Sequence, residues 1–240
     1  MRRLHRTPLS DKTRIFLRKR AGQVADALHP IAEAKRLWDR LDNKAFREIR
    51  QTLAAMASGV ERCMYCEDSE GTAIEHFWPK ALYPKRAFDW NNYLLACSRC
   101  NSNYKRNRFP LDPAGRPLLV NPVEEQPLDH LAFSPSTGRY EPRTNKGRAS
   151  EEVYGLNRTK LTRGRSNAWT VLQKLIVVYA QAKEEGDLAE AAKIETALRE
   201  HPFAGVLAAL LHLAAGPGAA LVHPASLQAL LQNPEIQGWA

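Results

Sequence analysis

Cysteine is scarce in this chain: four residues in 240, all in two Cys-x-x-Cys pairs, Cys63/Cys66 and Cys97/Cys100. None is left over for a disulfide framework, which fits a reducing, cytoplasmic setting and a bound metal. A phosphate-cradling glycine-rich loop is missing, so any ATP hydrolysis would have to come from another chain. No segment repeats at solenoid periods, and no tract is of low complexity. The basic start carries no apolar run ahead of a cleavage site, which argues against a signal peptide. Long apolar runs are also rare. Residues 204–222 approach membrane-spanning length, but His212 and the Gly216-Pro217-Gly218 break predict a buried helix, a turn and a second short apolar segment. This stretch is also a candidate for docking a partner.

Acidic residues are outnumbered, 26 against 35 lysines and arginines, giving a net charge of +9 and a pI near 9.5. Such a balance favours a polyanionic partner, nucleic acid first. The cations cluster in two blocks. Residues 2–20 hold Arg2, Arg3, Arg6, Lys12, Arg14, Arg18, Lys19 and Arg20 against Asp11 alone, and residues 139–165 form a second basic block. Blocks of this kind position phosphates without reading sequence, or simply solvate a surface.

Residues 1–60 read mainly as helix. Leu37/Leu41 and Ile49/Leu53/Met56 follow helical spacing, and Gly59 is a stop. Residues 61–110 are short, turn-rich and contain every cysteine. Residues 111–150 are rich in Pro, Gly and Arg and predict extended segments or hairpins, with a turn at Asn145-Lys146-Gly147. Residues 151–240 return to helix. Trp169, Leu172, Leu175, Ile176 and Tyr179 form an apolar stripe within residues 166–185, and residues 188–200 form a helix stopped by His201-Pro202.

The chemistry concentrates in residues 63–105. Two sulfurs three positions apart converge on one ion, and two such knuckles complete a tetrahedral Zn²⁺ site. The gap of about 30 residues between them is long for a compact zinc ribbon and must hold structure of its own. It contains Ile74-Glu75-His76-Phe77-Trp78-Pro79-Lys80, whose apolar flanks place Glu75 and His76 in a short strand with side chains on opposite faces. Asn92-Tyr93-Leu94-Leu95-Ala96-Cys97 is strand-like and leads into the second knuckle, and Asn101 opens a helix that contains Lys105.

Taken in order, CxxC, Glu-His followed by Pro79, Asn92 with Leu95, then CxxC-Asn and a lysine resemble the zinc-stapled branch of the HNH (ββα-metal) endonucleases. The resemblance implies an α+β fold, a mainly helical chain with an embedded zinc-stapled HNH core at residues 61–110. It implies an endonuclease that hydrolyses DNA phosphodiester bonds. His76 stands at the general base, Glu75 at the first catalytic-metal ligand, Asn101 at the last ligand, and Asn92 at a bracing position. The oxygen donors of Glu75 and Asn101 suit Mg²⁺ or Mn²⁺. The lysine falls one residue later than the usual pattern, which leaves Asn103 as a rival to Asn101, and Asn91 is a rival to Asn92 that the fixed offset from Cys97 disfavours. Lys80, Lys105, Arg106 and Arg108 are candidate nucleic-acid contacts; Trp78 either packs or touches DNA.

Further along, Arg108-Phe109-Pro110, Leu119-Val120-Asn121-Pro122, Gly138 and Tyr154-Gly155-Leu156-Asn157 with Leu161 and Arg165 are similar to one HNH subfamily. Its members include the small nuclease subunit of Septu-type phage-defence systems and retron-associated HNH endonucleases. That resemblance implies a partner, an ABC-type or SMC-like ATPase, and an antiviral role. Two other readings stand beside it: an idle zinc-binding adaptor that holds nucleic acid, and a stand-alone HNH restriction enzyme.

Overall fold

The computed structural model describes residues 1–39, 44–216, 219 and 223–239. Helix α1 (Asp11–Ala25) starts where the Ser10 hydroxyl accepts the Thr13 N–H. Helix α2 (Pro30–Trp38) opens on a proline, whose fixed φ and missing N–H suit that position. Helix α3 (Lys44–Met56) turns Phe46, Ile49, Leu53 and Met56 inward as a single stripe. Trp38 meets Phe46 edge-on at 5.3 Å and ties α2 to α3. The predicted pair Leu37/Leu41 is half visible: Leu37 is buried, and Leu41 lies outside the described residues.

Strands β1 (Ala73–His76) and β2 (Tyr93–Ala96) pair antiparallel in the register Glu75↔Leu94 and His76↔Tyr93. A seven-residue π-helix, Arg99–Lys105, follows β2 at once. Strands β3 (Leu131–Ser134) and β4 (Arg139–Pro142) form a second antiparallel hairpin within the segment predicted to be extended. The turn predicted at Asn145-Lys146-Gly147 is instead the first turn of helix α4 (Asn145–Tyr154). The Thr144 side chain accepts the Gly147 N–H and caps it. Gly155, at φ +58°, closes α4 in the left-handed conformation that suits glycine.

Helix α5 (Thr159–Glu184) begins before the predicted stripe, and α6 (Leu188–Glu200) packs along it. Helix α7 (Ala204–Ala214) is buried nearly all round, with Val206, Leu207, Leu210 and Leu211 at 2% exposure or less. Among the described residues of the stretch expected to dock a partner, most apolar side chains are thus spent on the protein's own core. The predicted second apolar segment falls largely outside the described residues. Helices α8 (Ala225–Leu231) and α9 (Pro234–Gln237) follow. Among the described residues, no helix is long and apolar enough to cross a membrane. The described residues are thus mostly helical, with two small antiparallel sheets.

Candidate active site and metal centre

The first cysteine pair sits in a tight loop closed by the Cys63 N–H to Ser69 O bond, and the Met64 N–H donates to Leu95 O on β2. Since β2 runs straight into Cys97, that one bond sets the two knuckles face to face. The four Sγ atoms lie within 4.8 Å of one another, all buried, and form the single cluster of candidate metal ligands among the described residues. The thiols are free, and Cys66 Sγ is 3.9 Å from Cys97 Sγ. A tetrahedron with Zn–S bonds of about 2.3 Å has edges of about 3.8 Å, so the spacing fits zinc and is far too long for a disulfide. Burial pushes the Cys63 thiol up, whereas hydrogen bonds from Cys100 and Cys63 pull Cys66 down to about 6. The Arg158 guanidinium lies 3.5 Å from Cys100 Sγ and favours a thiolate there. The buried cluster can therefore hold a metal ion such as zinc.

Glu75 and His76 sit side by side on β1, and the two-residue period of a strand sends them to opposite faces. Glu75 faces the π-helix. Its Oε1 is 2.6 Å from Lys105 Nζ, and both side chains are at least 95% buried. The same ammonium donates to the His76 carbonyl at 2.9 Å. Burial raises the Glu75 carboxyl above its ordinary range, against the attraction of Lys105 and a hydrogen bond from the His76 N–H. The expectation that Lys105 contacts nucleic acid does not hold. A lysine with no exposed surface, committed to Glu75 and His76, has nothing to offer a phosphate.

His76 faces the other way, against the edge of Trp38 at 4.2 Å and of Tyr93 at 5.2 Å. Its Nε2 is 3.0 Å from Ala87 O. A carbonyl only accepts, so Nε2 carries the hydrogen and Nδ1 keeps its lone pair. Burial drives the imidazolium pKa down to about 3, so the ring is neutral at pH 7. The arrangement is a fixed tautomer with one basic nitrogen free of the backbone bond.

Asn92 is buried and makes three bonds across the loop that leaves β1. Its Oδ1 accepts the Trp78 N–H at 2.7 Å, and its Nδ2 donates to Trp78 O at 3.0 Å and Arg86 O at 2.9 Å. The rival Asn91 is exposed. In the π-helix the Arg106 N–H reaches Asn101 O, an i→i+5 bond, so a turn takes about 4.4 residues. Asn101 and Lys105, four residues apart, therefore lie on one side of the helix, and Lys105 is the one seen against Glu75. Asn101 is half-buried, whereas Asn103 lies on the far side and is exposed.

The remaining cationic candidates differ in availability. Lys80 Nζ is 5.4 Å from the Trp38 ring, Arg106 is exposed, and Arg108 pairs with Glu152. Trp78 packs among Tyr83, Phe109 and Arg86. Sequence reasoning missed Trp38, the Ala87 carbonyl and Arg158 as parts of the site. The first two carry no local signal. Arg158 lay within a basic block that pointed outward.

No protein-family model matches the chain. Over 149 aligned residues it is 34% identical to the Septu protein PtuB of Bacillus mycoides (strain KBAB4), an alignment that takes in 49% of this chain and 50% of that protein. The chain thus spans about half the length of the curated relative it matches.

Proposed function

We propose that the chain is a component of a Septu-type antiphage defence system and acts in it as a metal-dependent HNH endonuclease on DNA. The similarity to the Septu protein PtuB supports the first part. The observation that carries the second is the β1–β2 register. It holds Glu75 toward the helix after the second cysteine pair and His76, as a fixed neutral tautomer, on the opposite face. A β-hairpin and a short helix joined by four buried cysteines match the outline of the resembled family.

In this reading His76 Nδ1 takes a proton from the water that attacks phosphorus. The Ala87 carbonyl holds the ring in the tautomer that leaves Nδ1 free. A phosphate arriving beside the imidazole opposes the effect of burial and raises its basicity. Asn92 braces the loop from which Ala87 projects. Glu75 and, better placed than Asn103, Asn101 would hold Mg²⁺ or Mn²⁺, which when bound stabilises charge on the phosphate and the leaving oxygen. Their oxygen donors fit such an ion once Lys105 yields Glu75 Oε1. Cys63, Cys66, Cys97 and Cys100 would hold Zn²⁺, which would supply folding free energy rather than catalysis. The resemblance supports an ABC-type or SMC-like ATPase subunit as the chain's partner.

One observation favours the rival adaptor reading: Lys105 already neutralises Glu75 where a metal would. The deciding experiment purifies the chain with and without its ATPase partner and measures plasmid nicking in Mg²⁺ or Mn²⁺ against EDTA. Metal-dependent nicking supports the nuclease; none in any metal or partner state leaves the adaptor.

A further inference from the structure

The segment Pro84–Asn92 has two sides. Toward the interior it gives the Ala87 carbonyl to His76 and the Arg86 carbonyl to Asn92. Its other side, with Lys85 and Phe88 through Asn91, is one wall of an open groove of about 580 Å³, and α1 is the other wall. Four α1 residues line it, Arg14, Leu17, Arg18 and Ala21, at the i, i+3, i+4, i+7 spacing of one helix face.

The groove has a layered chemistry. Leu17 and Phe88 are buried and form an apolar floor, and Trp90 stands half-exposed beside them. The indole is held in place: its Nε1 donates to Thr7 O at 3.1 Å, and the Arg6 guanidinium lies 4.8 Å from the ring centroid. Arg14, Arg18 and Lys85 are exposed at the rim, Arg14 in an exposed ion pair with Asp11 that a phosphate would have to displace, and Asp89 is the one acid in the lining. Fixed aromatic surface beside a row of cations is how proteins track a strand whose bases are unstacked. An intact duplex presents its phosphates but hides the base faces, and so leaves the apolar floor unused.

We infer that this groove binds a single-stranded segment of the DNA substrate. Its phosphates meet Arg14, Arg18 and Lys85, and a base lies against Trp90. The inference rests on the nuclease reading for its choice of polymer and deepens it by naming the strand state that is bound. It also ties binding to chemistry, because the strand leans on the backbone segment that fixes the His76 tautomer.

The test is fluorescence anisotropy on the full-length protein with no added divalent metal, so that nothing is cut. The probes are a labelled mixed-sequence single-stranded DNA, its duplex, and a glutamate-rich peptide. The variants are R14Q/R18Q/K85Q, whose changes are confined to exposed side chains, and Trp90→Phe beside Trp90→Ala. Loss of three cations should weaken single-strand binding by at least about tenfold and lower the salt slope by about 2, at about 0.7 per phosphate contact. Trp90→Phe should retain most of the affinity that Trp90→Ala loses. Unchanged affinity and slope in the triple variant would overturn the groove, as would a duplex bound as tightly as the single strand, or a peptide bound more tightly than DNA. The two readings fail separately. A triple variant that binds normally while His76→Ala abolishes cleavage sinks the groove alone, and lost binding in a protein that never cuts sinks the nuclease alone.

Discussion

Replacing Lys105 with methionine isolates the contact on which the β1 face depends. The lysine is fully buried and its ammonium stands 2.6 Å from Glu75 Oε1. At an effective dielectric of about 20 the attraction at that distance is ~6 kcal/mol. Burial of both groups offsets much of this, and burial dominates at Glu75, whose carboxyl is raised despite the lysine. Removing one partner, however, leaves a buried charge without compensation, and the typical cost is about 3–5 kcal/mol. Glu75 can escape by taking up a proton. A carboxyl raised in the folded state above its ordinary value of 4.5 binds more protons folded than unfolded, so its contribution to stability falls as pH rises between the two values. Lys105→Met should raise the folded value further. The variant's deficit should then be small near pH 4.5 and full above the raised value. Urea unfolding at several pH values, with zinc present, measures it. Lys105→Met with Glu75→Gln should recover most of the loss, giving a coupling of at least about 2 kcal/mol in the double-mutant cycle. A single-variant cost below about 0.5 kcal/mol at pH 7.5, or a coupling near zero, would refute the account of this pair.

Elemental analysis should find zinc in the wild type and none in Cys63→Ser, which should also fail to fold cooperatively; a soluble, folded, zinc-free variant would contradict the staple. Asn92→Ala removes three part-buried hydrogen bonds and should cost about 2–4 kcal/mol in urea unfolding, whereas the exposed Asn91→Ala should stay within about 0.5 kcal/mol. Gly155→Ala would place a Cβ 2.2 Å from Tyr104 Cε1 at a φ of +58°, and should destabilise by about 1–3 kcal/mol as read from the urea midpoint.

What could be read from the sequence was local. The cysteine knuckles, β1 around Glu75-His76, β2 into Cys97 and the inward turn of Asn92 rather than Asn91 all follow from spacings within a few residues. Lys105 could not be read that way. Its position in the motif suggested a surface lysine, but the helix turns its side chain inward, onto Glu75 and the His76 carbonyl. Asn145-Lys146-Gly147 has turn composition, yet the Thr144 cap one residue earlier makes it a helix start. Trp38 and Ala87 reach His76 only through tertiary packing, and neither residue type announces such a contact. The apolar run at 204–222 suggested a docking face because composition cannot say which neighbours cover it; α5 and α6 pack against its helix α7.

The central claim is that His76 Nδ1 is the base in phosphodiester hydrolysis. Its most direct test is the single-turnover rate of DNA cleavage by wild type and His76→Ala, in Mg²⁺ or Mn²⁺ with and without the proposed ATPase partner, on protein shown to be folded and to bind DNA with unchanged affinity. The account predicts a loss of about 10²–10⁴-fold in rate. Cleavage by His76→Ala at the wild-type rate would contradict it.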